Sequence, residues 1–134
     1  MAEGIFRYLT QHRPELTCES AGISAMPGFP ASANAITVCA KHGIDISYHL
    51  SQFLTDTIID RSDYIFGLAF QHVDFIRRAY PSSFDKVFLL KEFAESADES
   101  FNADVDDPIG QDEDAYEICF REIEKAIKGV LEKL

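Results

Sequence analysis

Three cysteines, four histidines and one aspartate-proline pair are the side chains of this 134-residue sequence that stand out as able to do chemistry. Cys18, Cys39 and Cys119 form an odd set with no C-x-x-C spacing, which argues against a disulfide framework and against a zinc site. They read as reduced thiols serving as small core residues. Asp107-Pro108 presents a carboxyl, by type a donor or acceptor of protons, within an acidic turn; Asp-Pro is equally a common turn signal. His12, His42 and His72 have no partner visible in the sequence and read as surface or helix-end residues.

The elements that would carry these groups can be read from periodicity and breakers. Residues 1–12 put Ile5, Phe6 and Leu9 on one face and stop before Pro14, which predicts a helix. Residues 16–21 predict a short strand ending at Gly22, and residues 33–42 a helix closed by Gly43 in the left-handed conformation. A helical turn is expected around 55–60, strands over 64–68 and 87–90, and a helix over 71–79 that closes at Pro81. The strongest signal is the stripe Tyr116, Phe120, Ile123, Ile127, Val130 and Leu134, which predicts a last helix packed on a sheet. Continuous apolar strands alternating with helices imply an α/β fold, a three-layer sandwich with a doubly wound parallel sheet, formed as a single domain over 1–134.

Composition narrows the class. With 46% hydrophobic and 26% charged residues the chain is expected to be an ordinary soluble globular domain, and no apolar run approaches the roughly 20 residues that cross a bilayer. No membrane role is expected, and an N-terminus with Glu3 and no basic segment ahead of an apolar core predicts a cytoplasmic location. The net charge of -11 is uneven, with 13 acids against 4 bases after residue 94. Such a surface repels phosphate backbones, so nucleic acid is excluded as a partner.

Segments along the whole chain resemble the low-molecular-weight protein tyrosine phosphatase family. Met1-Ala-Glu-Gly-Ile-Phe-Arg7 is similar to the segment directly after that family's C-x5-R-S-P phosphate loop, Glu19-Ser-Ala-Gly22 to its second-strand motif, and Lys41-His-Gly-Ile44 to the end of its second helix. Asp63-Tyr-Ile-Phe66 resembles its third strand, Asp85-Lys-Val-Phe-Leu-Leu-Lys-Glu-Phe93 its fourth, and Asp104-Val-Asp-Asp-Pro-Ile-Gly110 its Asp-Pro loop. The resemblance implies a phosphotyrosine phosphatase I-like fold and phosphoryl transfer through a phosphocysteine, without cofactor or metal. It implies Asp107 as the general acid, with Ser20 and His49 holding the phosphate loop; by residue type alone those two are a strand-end hydroxyl and a surface imidazole. The implied partner is a phosphorylated protein or a small phosphomonoester.

Departures matter as much. The place of the loop arginine holds Ser24 after Cys18, Asp45 after Cys39 and Lys125 after Cys119, so none of the three cysteines is a nucleophile. The chain is therefore expected to begin just past the nucleophile loop, to lack the first strand, and to be inactive as it stands; a start at an internal methionine accounts for this. Gln52 stands where relatives often have arginine, Ile109 where tyrosine phosphatases often have an aromatic, and Met26 near the substrate cleft, though thioether gap-filling is its commoner use. Phosphotyrosine and phosphoarginine both remain open as substrates. A noncatalytic binding module is the alternative function, and arsenate reduction ranks below it because only Cys119 comes after the third strand.

Overall fold

The computed structural model describes residues 1–24, 26–94 and 103–134, so part of the acidic stretch that starts at Glu95 lies outside the described residues. Helix α1 covers Ala2–Leu9, α2 Ala33–Lys41, α3 Asp56–Arg61, α4 Phe70–Ala79 and α5 Glu113–Leu131; strands β1 and β2 are Ile65–Gly67 and Val87–Leu89. Two 3₁₀ segments, Pro81–Lys86 and Leu90–Phe93, flank β2 and were not foreseen from periodicity.

Local chemistry sets the helix ends. Ser32 Oγ accepts from Ala35 N, Thr55 Oγ1 from Ile58 N, and Asp112 Oδ1 from Ala115 N, each using a short polar side chain to satisfy an amide of the first turn. Gly43, with φ of 78°, ends α2 in the left-handed region as expected. His72 Nδ1 accepts from Ala69 N at 3.1 Å and so caps α4, the helix-end use expected of it. At α1, Met1 supplies no capping side chain, and among the described residues the amides of Ala2, Glu3 and Gly4 make no hydrogen bond.

Strands β1 and β2 pair in parallel with Ile65 opposite Val87, Phe66 opposite Phe88 and Gly67 opposite Leu89. Helices cover both faces, as an α/β sandwich requires. One core joins Ile5, Val38, Cys39, Phe120, Ile123 and Ile127 from α1, α2 and α5, with Phe66 and Leu68 against it. The other joins Leu54, Ile58, Ile59, Val73 and Ile76 from α3, α4 and the segment before α3 to Val87 and Leu89. Burying each such side chain stabilises the fold by about 1.5–3 kcal/mol. The expected strand at 16–21 needs correction: only Gly22 makes a sheet contact, a single parallel bridge to Phe53. The reason lies far off in sequence, because the Ser20 amide is used on the Glu3 carboxylate rather than on a neighbouring strand.

Helix α5 lies directly on the 3₁₀ segment Leu90–Phe93, and Gly129 makes that approach possible. Alanine would ordinarily favour a helix by about 1 kcal/mol over glycine. Here its Cβ would overlap the Phe93 carbonyl oxygen and lie 2.8 Å from the Phe93 carbonyl carbon, which is backbone and cannot rotate away. We predict that Gly129→Ala lowers stability by about 1–3 kcal/mol, read from the urea midpoint. A midpoint equal to or above the parent's would show that the helix and the segment separate freely.

Candidate functional site

The first turn of α1 carries Glu3, whose side chain is 12% exposed and whose carboxylate collects partners from three parts of the chain. Ser20 donates to Oε1 twice, from its amide at 2.8 Å and from its hydroxyl at 3.1 Å. Oε2 faces His49 Nδ1 and Arg7 Nη2, each at 3.4 Å. Arg7 also donates to the Cys18 carbonyl at 3.3 Å, which ties the chain entering Ser20 to the same helix. A carboxylate held so far from water is stable only when its lone pairs are taken up in this way.

The surroundings explain how His49 arrives there. Gly4 leaves no Cβ where one would come within 2.6 Å of Ile46 Cγ2, so the 44–49 segment rests against α1. Asp45 Oδ1 accepts from the Ser47 amide and hydroxyl, and the His49 amide donates to the Ile46 carbonyl, which together turn the chain back toward Glu3. Gln52 completes the bracket: its Nε2 donates to the Ser20 carbonyl at 2.8 Å while its own carbonyl accepts from Gly22 N at 3.0 Å. Its amide thus does structural work that a sequence comparison records only as a departure.

Asp107 sits apart, on the loop leading into α5. Its Oδ1 accepts from the Ile109 amide at 3.1 Å, its carbonyl from Gln111 Nε2 at 3.4 Å, and Gly110 at φ 78° closes the turn. The tip is exposed, but the base is fixed: Val105 N donates to the Leu68 carbonyl at 2.8 Å, beyond the end of β1, and Asp104 Oδ1 accepts from Phe70 N at 2.7 Å. Thus Ser20 and His49 meet on Glu3, whereas Asp107 makes no hydrogen bond or ion pair with any of them among the described residues.

Glu3 itself is the residue that sequence reasoning missed. Its one signal was an acid in the first turn of a helix, which the helix dipole alone explains. His42 also has a partner that the sequence hid: Nε2 lies 2.8 Å from Glu117 Oε1 and the ring stacks on Phe120 at 4.0 Å, holding α2 to α5. Met26 fills no gap; it is 69% exposed, because the loop carrying it is pinned through its carbonyl by Ser51 Oγ rather than through its side chain.

The cysteines are in settings that suppress reactivity. Cys39 and Cys119 are buried, and Cys18 is half-buried with Sγ 3.6 Å from the Glu3 carbonyl. Burial pushes all three thiols up, and Cys119, with Glu122 and other acids adding to the effect, rises from an ordinary 9.0 to about 11. A nucleophilic cysteine needs the opposite shift. Among the described residues no group of His, Cys, Asp or Glu could hold a metal, and no helix is long and apolar enough to cross a membrane.

Residues 1–134 match the family model described as low molecular weight phosphotyrosine protein phosphatase. The chain is 35% identical over 127 residues to a probable low molecular weight protein-tyrosine-phosphatase, EpsP, of Ralstonia solanacearum, covering 95% of this chain and 81% of that one. It is 32% identical over 121 residues to a protein-arginine-phosphatase of Geobacillus stearothermophilus, covering 90% and 78%. Among solved structures, the low molecular weight protein tyrosine phosphatase from T. tengcongensis superposes with a TM-score of 0.89 at 35% identity, covering 99% and 88%. The YwlE arginine phosphatase of G. stearothermophilus superposes with a TM-score of 0.86 at 29% identity, covering 98% and 81%.

The suppressed thiol at Cys119 has a measurable consequence. An unfolded chain loses this proton near its ordinary 9.0 and the folded chain only near 11, so between those values the unfolded state binds fewer protons. The stability that the neutral thiol confers is complete below about pH 9 and lost as pH rises toward about 11. Urea midpoints at about pH 8 and about pH 10 should therefore fall less in Cys119→Ala than in the parent. Equal falls would contradict the suppressed ionisation.

Proposed function

The chain belongs to the low molecular weight phosphotyrosine protein phosphatase family, and from that premise we propose that these residues form the scaffold and the general-acid loop of a cysteine-dependent phosphatase site. The observation that carries the reading is the convergence of Ser20 and His49 on Glu3, at the start of a helix whose first amides have no partner among the described residues. Backbone amides at a helix N-terminus favour an anion, and the Glu3 network would hold the chain around that point in shape.

In the proposed reaction a cysteine thiolate attacks phosphorus, the bond to the leaving group breaks, and Asp107 gives that group its proton. Water then attacks phosphorus, the S–P bond breaks to release phosphate and regenerate the thiolate, and the same carboxylate takes a proton from the attacking water. Exposure of Asp107 at the tip of an anchored loop suits a group that must reach a bound substrate. The thiolate is not Cys18, Cys39 or Cys119, since burial keeps all three protonated and no arginine stands in the C-x5-R place after any of them. On this reading the phosphocysteine forms on a C-x5-R loop, a pattern that these 134 residues do not contain. The partner is a phosphorylated protein or a small phosphate compound; Ile109, 72% exposed beside the Asp-Pro pair, offers no ring to stack on an aryl group.

The test places the loop ahead of Met1 and changes Asp107→Asn. Turnover of an aryl phosphate with a poor leaving group should fall by about 10²-fold or more, and that of a very good leaving group much less. Equal losses, or none, would remove Asp107 from the mechanism.

A further inference from the structure

We propose that Lys91 is a positioning residue for the Asp107 loop, an inference that rests on Asp107 being the general acid. Lys91 belongs to the 3₁₀ segment after β2 and is only 9% exposed, so its ammonium is held where an unpaired charge would be strongly destabilising. Its Nζ donates to the backbone carbonyl of Asp104 at 3.3 Å and lies 3.4 Å from Glu122 Oε1 on α5. The charge is therefore compensated from α5, while one of its hydrogen bonds is directed at the base of the acid loop.

The same residue, Asp104, takes the Phe70 amide on its side chain, and the next residue, Val105, gives its amide to Leu68. Among the described residues, 104 and 105 are thus held from the end of β1, the start of α4 and Lys91. Past this point, the bonds that Asp107 makes are internal to its own turn. The reach and aim of Asp107 consequently depend on how firmly the base is held, and Lys91 is the one contributor among these that also ties the base to α5. Gly129 supports the arrangement, because the close approach of α5 to Phe93 keeps Glu122, two helical turns earlier on the same face, beside Lys91.

A buried lysine satisfied for stability alone would, on removal, unfold the chain or weaken all turnover alike. A positioning lysine should affect the proton-transfer step selectively. In the chain carrying a nucleophile loop, Lys91→Met should lower turnover of a poor-leaving-group aryl phosphate by about tenfold and that of a good one by much less, steepening the leaving-group dependence in the same sense as Asp107→Asn. Lys91→Met combined with Asp107→Asn should lose little beyond Asp107→Asn alone, because both act on one step. Independently of activity, amide exchange at Val105 and Phe70 in the 134-residue chain should quicken in Lys91→Met while amides in α2 keep the parent's rates. Should Lys91→Met fail to fold, Glu122→Gln keeps the shape and should shift both readouts the same way, less strongly. Leaving-group dependence and amide exchange both matching the parent, or a uniform loss with every leaving group, would overturn the proposal. If Asp107→Asn itself shows no leaving-group dependence, the mechanism falls instead, and the amide exchange alone decides whether Lys91 holds the loop.

Discussion

A single carboxylate, Glu3, must be satisfied where it is nearly shut off from water, and the geometry around α1 is a consequence of that requirement. Ser20 gives Oε1 two hydrogen bonds, while His49 and Arg7 lie 3.4 Å from Oε2, three partners separated widely in sequence. Meeting them draws the 16–24 segment and the 44–54 segment onto the same end of the same helix. Gln52 then locks these two segments to each other through the Ser20 and Gly22 backbones. Hydrogen bonds to a charged group contribute about 1.5–3 kcal/mol each, so the two from Ser20 rival a buried apolar side chain in weight and add direction that apolar contact lacks.

A second constraint acts at the opposite end of the chain. Helix α5 meets the 3₁₀ segment across Gly129, and through Glu122 and Lys91 it reaches the base of the acid loop. The loop is firm where it joins the sheet and exposed where Asp107 stands. Such a division of roles suits the proton donor proposed at Asp107: the anchor fixes direction, and the tip is left to approach a leaving group. The two constraints meet through the core, where Ile5 of α1 packs with Phe120, Ile123 and Ile127 of α5.

Much of the fold was legible because it rests on local signals. The stripe from Tyr116 to Val130, the helix stop at Gly43, and the apolar runs at β1 and β2 each declare an element within a few residues. The strand expected at 16–21 was misread for the converse reason, since the Ser20 amide is claimed by a distant side chain that no window of sequence contains. Ser20, His49 and Asp107 entered through a family resemblance. Glu3, Lys91 and the His42–Glu117 pair did not, because each acquires its meaning from a partner well beyond any local window, and a lone acid, lysine or histidine carries no mark of that.

The central proposal is that these residues supply an acid and a scaffold and that none of their three cysteines is the nucleophile. The most direct measurement is the turnover of a chromogenic aryl phosphate, under reducing conditions, by the repurified 134-residue chain beside the same chain carrying a strand and C-x5-R loop ahead of Met1. The expected result is no turnover by the first and clear turnover by the second, abolished when the added cysteine is replaced by serine. Turnover by the 134-residue chain that survives repurification, or a folded longer chain that stays inactive, would contradict it.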